Sequence, residues 1–374
     1  MKLLYITNGI NGSGGLERVL AVKASYLAEN IGYDVHILTL NDGHQHPFYS
    51  FSTAIKFHDI KVLGNPVNYV VAYKKGIKKL LKNIVPDIIS VCDDGLKGLL
   101  FPVLFGKTIP VIYERHASID LNFISEKNTS KIQKVKNYSQ KKIMVWGAKK
   151  FNLFVVLTNG NKNDWKGVNC TVIPNLSPFV NVDKNFKDAK KNIVLAVGTQ
   201  SYNKGFGRLI DIWKMIAKKH PDWKLEVYGK QNKNLNLQRK IDELSLSDSF
   251  ILNEPTKKIA EKYNESAIFV LPSRSEGFGM VLIEAMSFGV PCVAFDCPHG
   301  PADIIKDKED GFLIKDGNNL QFSEALINLI ENINLRRKMG QAAKINVARY
   351  SPDKIMPIWD SLFKSLIKKD EDSL

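Results

Sequence analysis

The apolar positions fall into short unbroken runs separated by longer amphipathic stretches, and this alternation is laid down twice along the chain. Leu3 to Thr7, VHILTL at 35–40, VPDIISVC and PVIYERHAS at 110–118 leave almost no polar face. Runs of that kind predict parallel strands buried on both sides by covering helices. After the first, NGINGSGGLERVLAVKASYLAEN predicts a glycine-rich turn and a helix starting near Leu16. KKFNLFVVLTNGNKNDW adds a strand and turn, and CTVIPNLSP closes this half. A charged stretch, VDKNFKDAKK at 182–191, precedes NIVLAVGTQ at 192–200, where the same pattern begins again. The restart predicts a domain boundary, with residues 1–180 as one domain, 181–355 as a second and 356–374 as a terminal helix. A length of 374 residues suits two cores of about 180 each rather than one.

The second half holds the stretch on which the others depend, AIFVLPSRSEGFGMVLIEAMSFG, residues 267–289. Ile268 to Leu271 read as a buried strand, and Gly277 and Gly279 give the next turn room to bring backbone amides against a ligand. Met280, Leu282, Ile283, Ala285 and Met286 make the apolar stripe of a helix that Gly289 and Pro291 end. A strand, a glycine turn and a helix N-terminus in that order form a site for phosphate. Glu276 in the turn and Glu284 about two helical turns later bracket it.

Composition narrows the class without changing this picture. With 44% hydrophobic and 24% charged residues, the chain reads as globular rather than disordered or fibrous. The N-terminus lacks the apolar core of a signal peptide, and no run of about eighteen apolar residues occurs, so a cytoplasmic protein is expected. Cys92, Cys170, Cys292 and Cys297 show no zinc-like pairing and read as idle thiols. Of the net charge of +15, about +11 lies in residues 1–180. YKKGIKKLLKN at 73–83 and the stretch from Lys127 to Lys150 carry most of it. Each cluster is a solvated helix face or a surface for an anionic membrane.

PSRSEGFGMVLIEAMSFGVP resembles the signature of the family-4 retaining glycosyltransferases, a Glu, seven residues and a second Glu in a PS..EGFG..L.EAM.fG.P context. GGLER, with Gly14 and Gly15, resembles that family's glycine loop, and the likeness extends over nearly the whole chain. The resemblance implies the GT-B fold, two Rossmann-like doubly wound domains facing a central cleft. It implies a retaining, metal-independent transfer of a hexose or N-acetylhexosamine from a nucleotide sugar, UDP being the expected nucleotide. No cofactor is expected beside that donor, and no Asp-X-Asp is expected to hold a divalent ion on its diphosphate.

By the same resemblance, Glu276 and the amides of Gly277, Phe278, Gly279 and Met280 hold the donor sugar and phosphates, and Glu284 takes the ribose hydroxyls. Lys204 in VGTQSYNKGFGRLIDIW matches a phosphate-binding lysine, but Thr199 stands where the family has an arginine. Arg208 and Arg274 are the candidate substitutes. Glu114, Arg115 and His116 end a strand where an open sheet puts ligand residues, and either Arg115 or His116 holds the family's catalytic-side position. The turn Asn253, Glu254, Pro255, Thr256 is expected beside the nucleobase. FDCPHGPADII resembles a subgroup that builds capsular, O-antigen or similar surface glycans, which implies a glycan or polyprenyl-diphosphate-linked acceptor. With the lysines of 73–82 and 127–150, that acceptor suggests peripheral attachment to the inner face of an anionic membrane. The terminal helix is expected to pack on the first domain through Ile358, Leu362 and Leu366. Two other classes remain open at this point, a nucleotide-sugar epimerase of the same fold and a basic nucleic-acid-binding protein; the second lacks any stacking-aromatic module, so no nucleic-acid partner is expected.

Overall fold

The computed structural model describes residues 1–42, 47–62, 65–93, 95–119, 130–179 and 190–371. Lys127 and most of the charged stretch 182–191 lie outside the described residues. The chain divides into two compact units, the first built from Met1–Ile119, Thr129–Leu176 and Pro352–Leu374, the second on Ser177–Ser351.

In the first unit the expected alternation is realised as β1 (Lys2–Ile6), α1 (Gly15–Glu29), β2 (Asp34–Leu40), β3 (Lys56–Ile60), α2 (Pro66–Ile84) and β4 (Ile88–Val91). It continues through α3 (Leu96–Leu99), α4 (Phe101–Phe105), β5 (Val111–Glu114), α5 (Lys131–Ala148), β6 (Leu153–Val156), α6 (Asn159–Asp164) and β7 (Cys170–Val172). All seven strands are parallel, in the order β3-β2-β1-β4-β5-β6-β7. The order reverses between β1 and β4. Right-handed crossovers therefore put α1 on one face of the sheet and α2 to α5 on the other.

Helix α14 (Pro352–Glu371) closes the first unit by packing on α1. Here the structure corrects the expected contact face. Ile358 is exposed and Leu362 and Leu366 are half-buried, whereas Ile355, Met356, Trp359 and Phe363 are buried. Two aromatic side chains together with Ile355 and Met356 remove more apolar area from water than three aliphatic side chains can, and they set the rotation of the helix. Trp359 lies against Phe363 at 5.4 Å, and the Tyr33 hydroxyl donates to Asp360 at 2.6 Å.

The second unit repeats the plan with β8 (Lys191–Val197), α7 (Phe206–Ala217), β9 (Lys224–Tyr228), α8 (Leu237–Glu243), β10 (Phe250–Asn253), α9 (Ile259–Glu265) and β11 (Ser266–Leu271). It ends with α10 (Met280–Ser287), β12 (Cys292–Asp296), α11 (Pro301–Ile304), β13 (Gly311–Lys315), α12 (Asn319–Glu331) and α13 (Ile333–Val347). Its six strands are parallel in the order β10-β9-β8-β11-β12-β13, with the reversal between β8 and β11. Trp213, Ile210, Phe250, Phe295 and Phe322 fill its core. In both units the sheet opens at the reversal, and loops leaving the carboxyl ends of the two flanking strands border the crevice.

Candidate active site

In the second unit those loops are the ones singled out in the sequence. The turn after β8 carries Lys204 in a short 3-10 segment, Tyr202–Lys204, capped by the Ser201 side chain. The turn after β11 carries Glu276. Lys204 Nζ donates to both carboxylate oxygens of Glu276, at 2.7 and 3.0 Å. Of this pair the lysine side chain is 25% exposed and the glutamate 9%, so the pair sits at the rim of the crevice with its cation toward water.

Two glycines from neighbouring turns lock Pro272–Gly279 in place. Gly205 has φ +71°, and a Cβ there would lie 1.9 Å from the Pro272 carbonyl oxygen. Gly300 has φ +98°, and its Cβ would lie 1.9 Å from the Phe278 carbonyl oxygen. Only glycine fits either place, because the backbone itself is in the way. The Asn203 side-chain amide donates to Ser275 O at 2.8 Å, and Arg274 N donates to Asn203 O at 2.7 Å. The turn is thus fixed on both sides while Gly279 caps α10, whose first two amides, of Met280 and Val281, have no carbonyl within the helix to take them. The Oγ atoms of Ser273 and Ser275 are buried without a hydrogen-bond partner among the described residues, a polar reserve beside the same turn.

A rigid glycine turn at a helix start and a paired lysine and glutamate thus meet at a sheet reversal, on the stretch whose sequence carries the glycosyltransferase-like motif. The comparisons decide the family. The description "Glycosyltransferase Family 4" matches residues 13–176, and "Glycosyl transferases group 1" matches residues 180–346. The amylovoran biosynthesis glycosyltransferase AmsD of Erwinia amylovora is 36% identical over 96% of this chain and 99% of its own length. The chain is a family-4 glycosyltransferase. Its fold is GT-B and its transfer is retaining. Solved structures agree on the fold: sucrose-phosphate synthase from Thermosynechococcus elongatus superposes with a TM-score of 0.84 at 15% identity, covering 99% of this chain and 100% of that one. HepE of Anabaena, in complex with UDP-glucose, superposes with a TM-score of 0.74 at 16% identity over the whole of both chains.

The glycosyltransferase uses its two candidate arginines differently from Lys204. Arg208 is buried: Nε donates to Pro272 O at 2.7 Å, Nη2 to Ser273 O, and Nη1 to Asp316 at 2.6 Å. Burial, the largest influence, lowers its pKa, and Asp316 works against that shift. Its fork is spent on holding the end of β11. Arg274 is half-buried, donates to Tyr202 O at 3.0 Å and lies 4.2 Å over the Tyr202 ring. Of the two, Arg274 keeps the greater freedom to meet a phosphate. Glu284, in the second turn of α10, is buried and accepts from the Tyr263 hydroxyl at 2.7 Å. Tyr263 escaped the sequence reading because it stands on α9, 21 residues away, with no motif to mark it. Pro255 and Thr256 are half-buried in the turn after β10, and Glu254 is exposed.

In the first unit, Gly14 caps α1 and Gly15 opens it. The loop before them is held by Asp42, which accepts from Ile10 N at 2.8 Å, and by Tyr49, whose hydroxyl donates to Ser13 O at 2.9 Å. At the end of β5 the three candidates separate. Arg115 turns inward, donating from Nε to Ala117 O at 2.9 Å and from Nη2 to Ser118 O at 3.0 Å. Its burial and these bonds make it a brace for the turn. Glu114 is buried among the Lys23 ammonium, the Ser90 hydroxyl (2.6 Å) and His116 Nε2 (3.3 Å). Burial alone would raise its pKa, but Lys23 and His116 outweigh burial and hold it at about 2. With Nε2 turned to Glu114, Nδ1 is buried with no hydrogen-bond partner among the described residues. Lys23 was not anticipated. Its signal was a lysine on the apolar stripe of α1, beside the buried Leu20, Ala24 and Leu27.

Cys92, Glu114 and His116 bring three metal-ligand atom types within 4.8 Å. Both Glu114 oxygens are already engaged, one by an ammonium whose charge opposes a cation, so this donor set does not suit a metal ion. One Asp-X-Asp triplet occurs, Asp370-Glu371-Asp372 at the end of the chain, and its side chains lie outside the described residues.

Proposed function

We propose that the protein moves a hexose or N-acetylhexosamine from a UDP-sugar to a glycan or polyprenyl-diphosphate-linked acceptor in surface-polysaccharide synthesis, without metal or cofactor. The observation that carries the reading is the half-open Lys204–Glu276 pair beside the amides at the start of α10. A diphosphate brings two charges to a lysine that one carboxylate now satisfies, and can draw it away from Glu276. Lys204 and the helix N-terminus then stabilise the charge that develops on the leaving diphosphate. Glu276, released from the lysine, accepts from sugar hydroxyls, and Glu284 from the ribose. Neither Glu276 nor Glu284, each already hydrogen-bonded, has the character of a nucleophile held for attack. Retention therefore proceeds by front-face attack through an oxocarbenium-like state, with the leaving phosphate taking the acceptor's proton. His116 Nδ1 offers an acceptor to a sugar hydroxyl, with its tautomer set by Glu114.

AmsD, by name an enzyme of amylovoran biosynthesis, and HepE, solved with UDP-glucose, support the pathway class and the nucleotide. No helix among the described residues is long and apolar enough to cross a membrane. We place the enzyme at the inner face of the cytoplasmic membrane through the basic helices of the first unit, where each surface lysine contributes about 1 kcal/mol near anionic lipid. Incubating the enzyme with labelled UDP-sugars, with and without a lipid-linked acceptor, tests the reading. Acceptor-dependent transfer with retained configuration is the expected result. Release of an epimerised sugar nucleotide without acceptor would replace it.

A further inference from the structure

Helix α5 carries an apolar stripe on the face turned away from its own domain. Ile132, Val135, Ile143 and Trp146 are all exposed, Ile132 at 82% and Val135 at 66%. With Ser139 between them they follow steps of three and four residues, which lines them up along one side of a helix. The side away from the stripe holds the helix to the unit: Met144 and Ala148 are buried there, and Gly147 is buried between them and the stripe. A Cβ at Gly147 would lie 2.7 Å from the Leu99 carbonyl oxygen, so the α5 backbone rests on α3 and its apolar stripe faces outward.

The stripe has basic margins. Helical spacing sets Lys136 along one edge and Lys142 and Lys149 along the other, and residues 131–150 contain no acidic residue. Lys142 lies 4.7 Å over the exposed Tyr138 ring and Lys150 lies 5.4 Å over Trp146. Helices α2, α4, α3 and α5 pack in succession on one face of the sheet, and α2 adds exposed Lys75, Lys78, Lys79 and Lys82 to that layer. Lysines alone would suit any polyanion. Exposed aliphatic side chains gain nothing from a phosphate backbone, and an apolar protein groove would not call for lysines on both margins with no acid among them. Aliphatic residues with a tryptophan and a tyrosine, bordered by cations, match the boundary between anionic headgroups and acyl chains.

We infer that α5 lies in the headgroup plane of an anionic bilayer with Ile132, Val135, Ile143 and Trp146 sunk among the acyl chains. The inference rests on the membrane location proposed above, but not on the transfer reaction. It adds a part of the binding that salt does not screen. The test uses the full chain and vesicles of phosphatidylglycerol or phosphatidylcholine, sedimented at low and high salt. The wild type should bind phosphatidylglycerol and keep part of that binding at high salt. Val135→Glu/Ile143→Glu should lower the high-salt partition by about tenfold or more, with thermal midpoint and donor hydrolysis unchanged. Brominated lipid should quench tryptophan fluorescence in the wild type and less in Trp146→Phe. Unchanged vesicle binding by the double variant, or equal quenching in both proteins, overturns the inference. So does a dimer in size-exclusion chromatography that the double variant makes monomeric, which would assign the stripe to a second copy of the chain. Failure of sugar transfer in the wild type would leave the vesicle result standing, so the two readings fail separately.

Discussion

Each unit sets a lysine against a glutamate at the carboxyl ends of its sheet, and the two pairs live in opposite environments. Lys23 and Glu114 are both 1% exposed. The lysine reaches out of the middle of α1 beneath the Trp359 ring, 4.0 Å away, and every oxygen of the glutamate has a partner supplied by the fold. Lys204 instead projects from a short turn, keeps a face in water and has Glu276 as its carboxylate. A charge pair shut away from water has no cheap alternative partner, so separating it leaves a bare ion in a poor solvent. A pair at the rim can exchange one partner for another with little loss, because water screens the intermediate. The sealed pair therefore fixes the position of His116. The open pair is the one that the proposed function assigns to a diphosphate.

The contrast breaks most sharply at Lys23. Lys23→Ala should destabilise the first unit by about 3–5 kcal/mol, measured by denaturant unfolding, since it strands Glu114 in the interior. The same pair sets an acid limit. Because the folded-state pKa of Glu114 is about 2 against an ordinary 4.5, its contribution is complete above the ordinary value. It is lost as pH falls through the folded value, so stability should fall on acidification below about pH 4.5. Glu114→Gln should flatten that part of the profile. A Lys23 variant that melts like the wild type but fails in turnover would erase the distinction drawn here. Next in size, Lys204→Ala should lower turnover by about 10²-fold or more while shifting stability by no more than about 1 kcal/mol. Equal losses in kinetics and thermal melts would return Lys204 to the architecture.

The two pairs were unequally visible in the sequence, for a physical reason. Local signals declare local structure: PSRSEGFGMVLIEAM holds a strand end, two glycines and a helix start in one window, and all of these form as read. The alternation of apolar runs likewise places the strands, because burial on both faces leaves its mark residue by residue. Lys23 and Glu114 stand 91 residues apart and meet only after α1 has packed on its sheet. Lys204 and Glu276 were each named as site residues, but their contact spans 72 residues and no local pattern announces it. The α14 face went the same way. Ile358, Leu362 and Leu366 have a helical spacing as good as that of Ile355, Trp359 and Phe363, and the choice between the two stripes is made by α1.

The smallest expected effects lie at Glu284, where architecture and binding share one side chain. Its carboxylate accepts from Tyr263 and is buried, which resembles the sealed pair, yet it sits in the second turn of the helix whose N-terminus borders the crevice. If ribose hydroxyls also donate to it, Glu284→Ala should weaken UDP binding by about 1.5–3 kcal/mol, the cost of hydrogen bonds to a charged acceptor. Calorimetry with UDP measures this directly. Tyr263→Phe separates the two duties, since it removes the hydroxyl that donates to the carboxylate but keeps the ring against Phe269 and Phe288. That variant should cost about 1 kcal/mol of stability and leave UDP affinity within twofold. A full loss of UDP binding in Tyr263→Phe would mean that the tyrosine orients the carboxylate for ribose. Unchanged affinity in Glu284→Ala would place Glu284 beside Glu114, as a charge the fold keeps for itself.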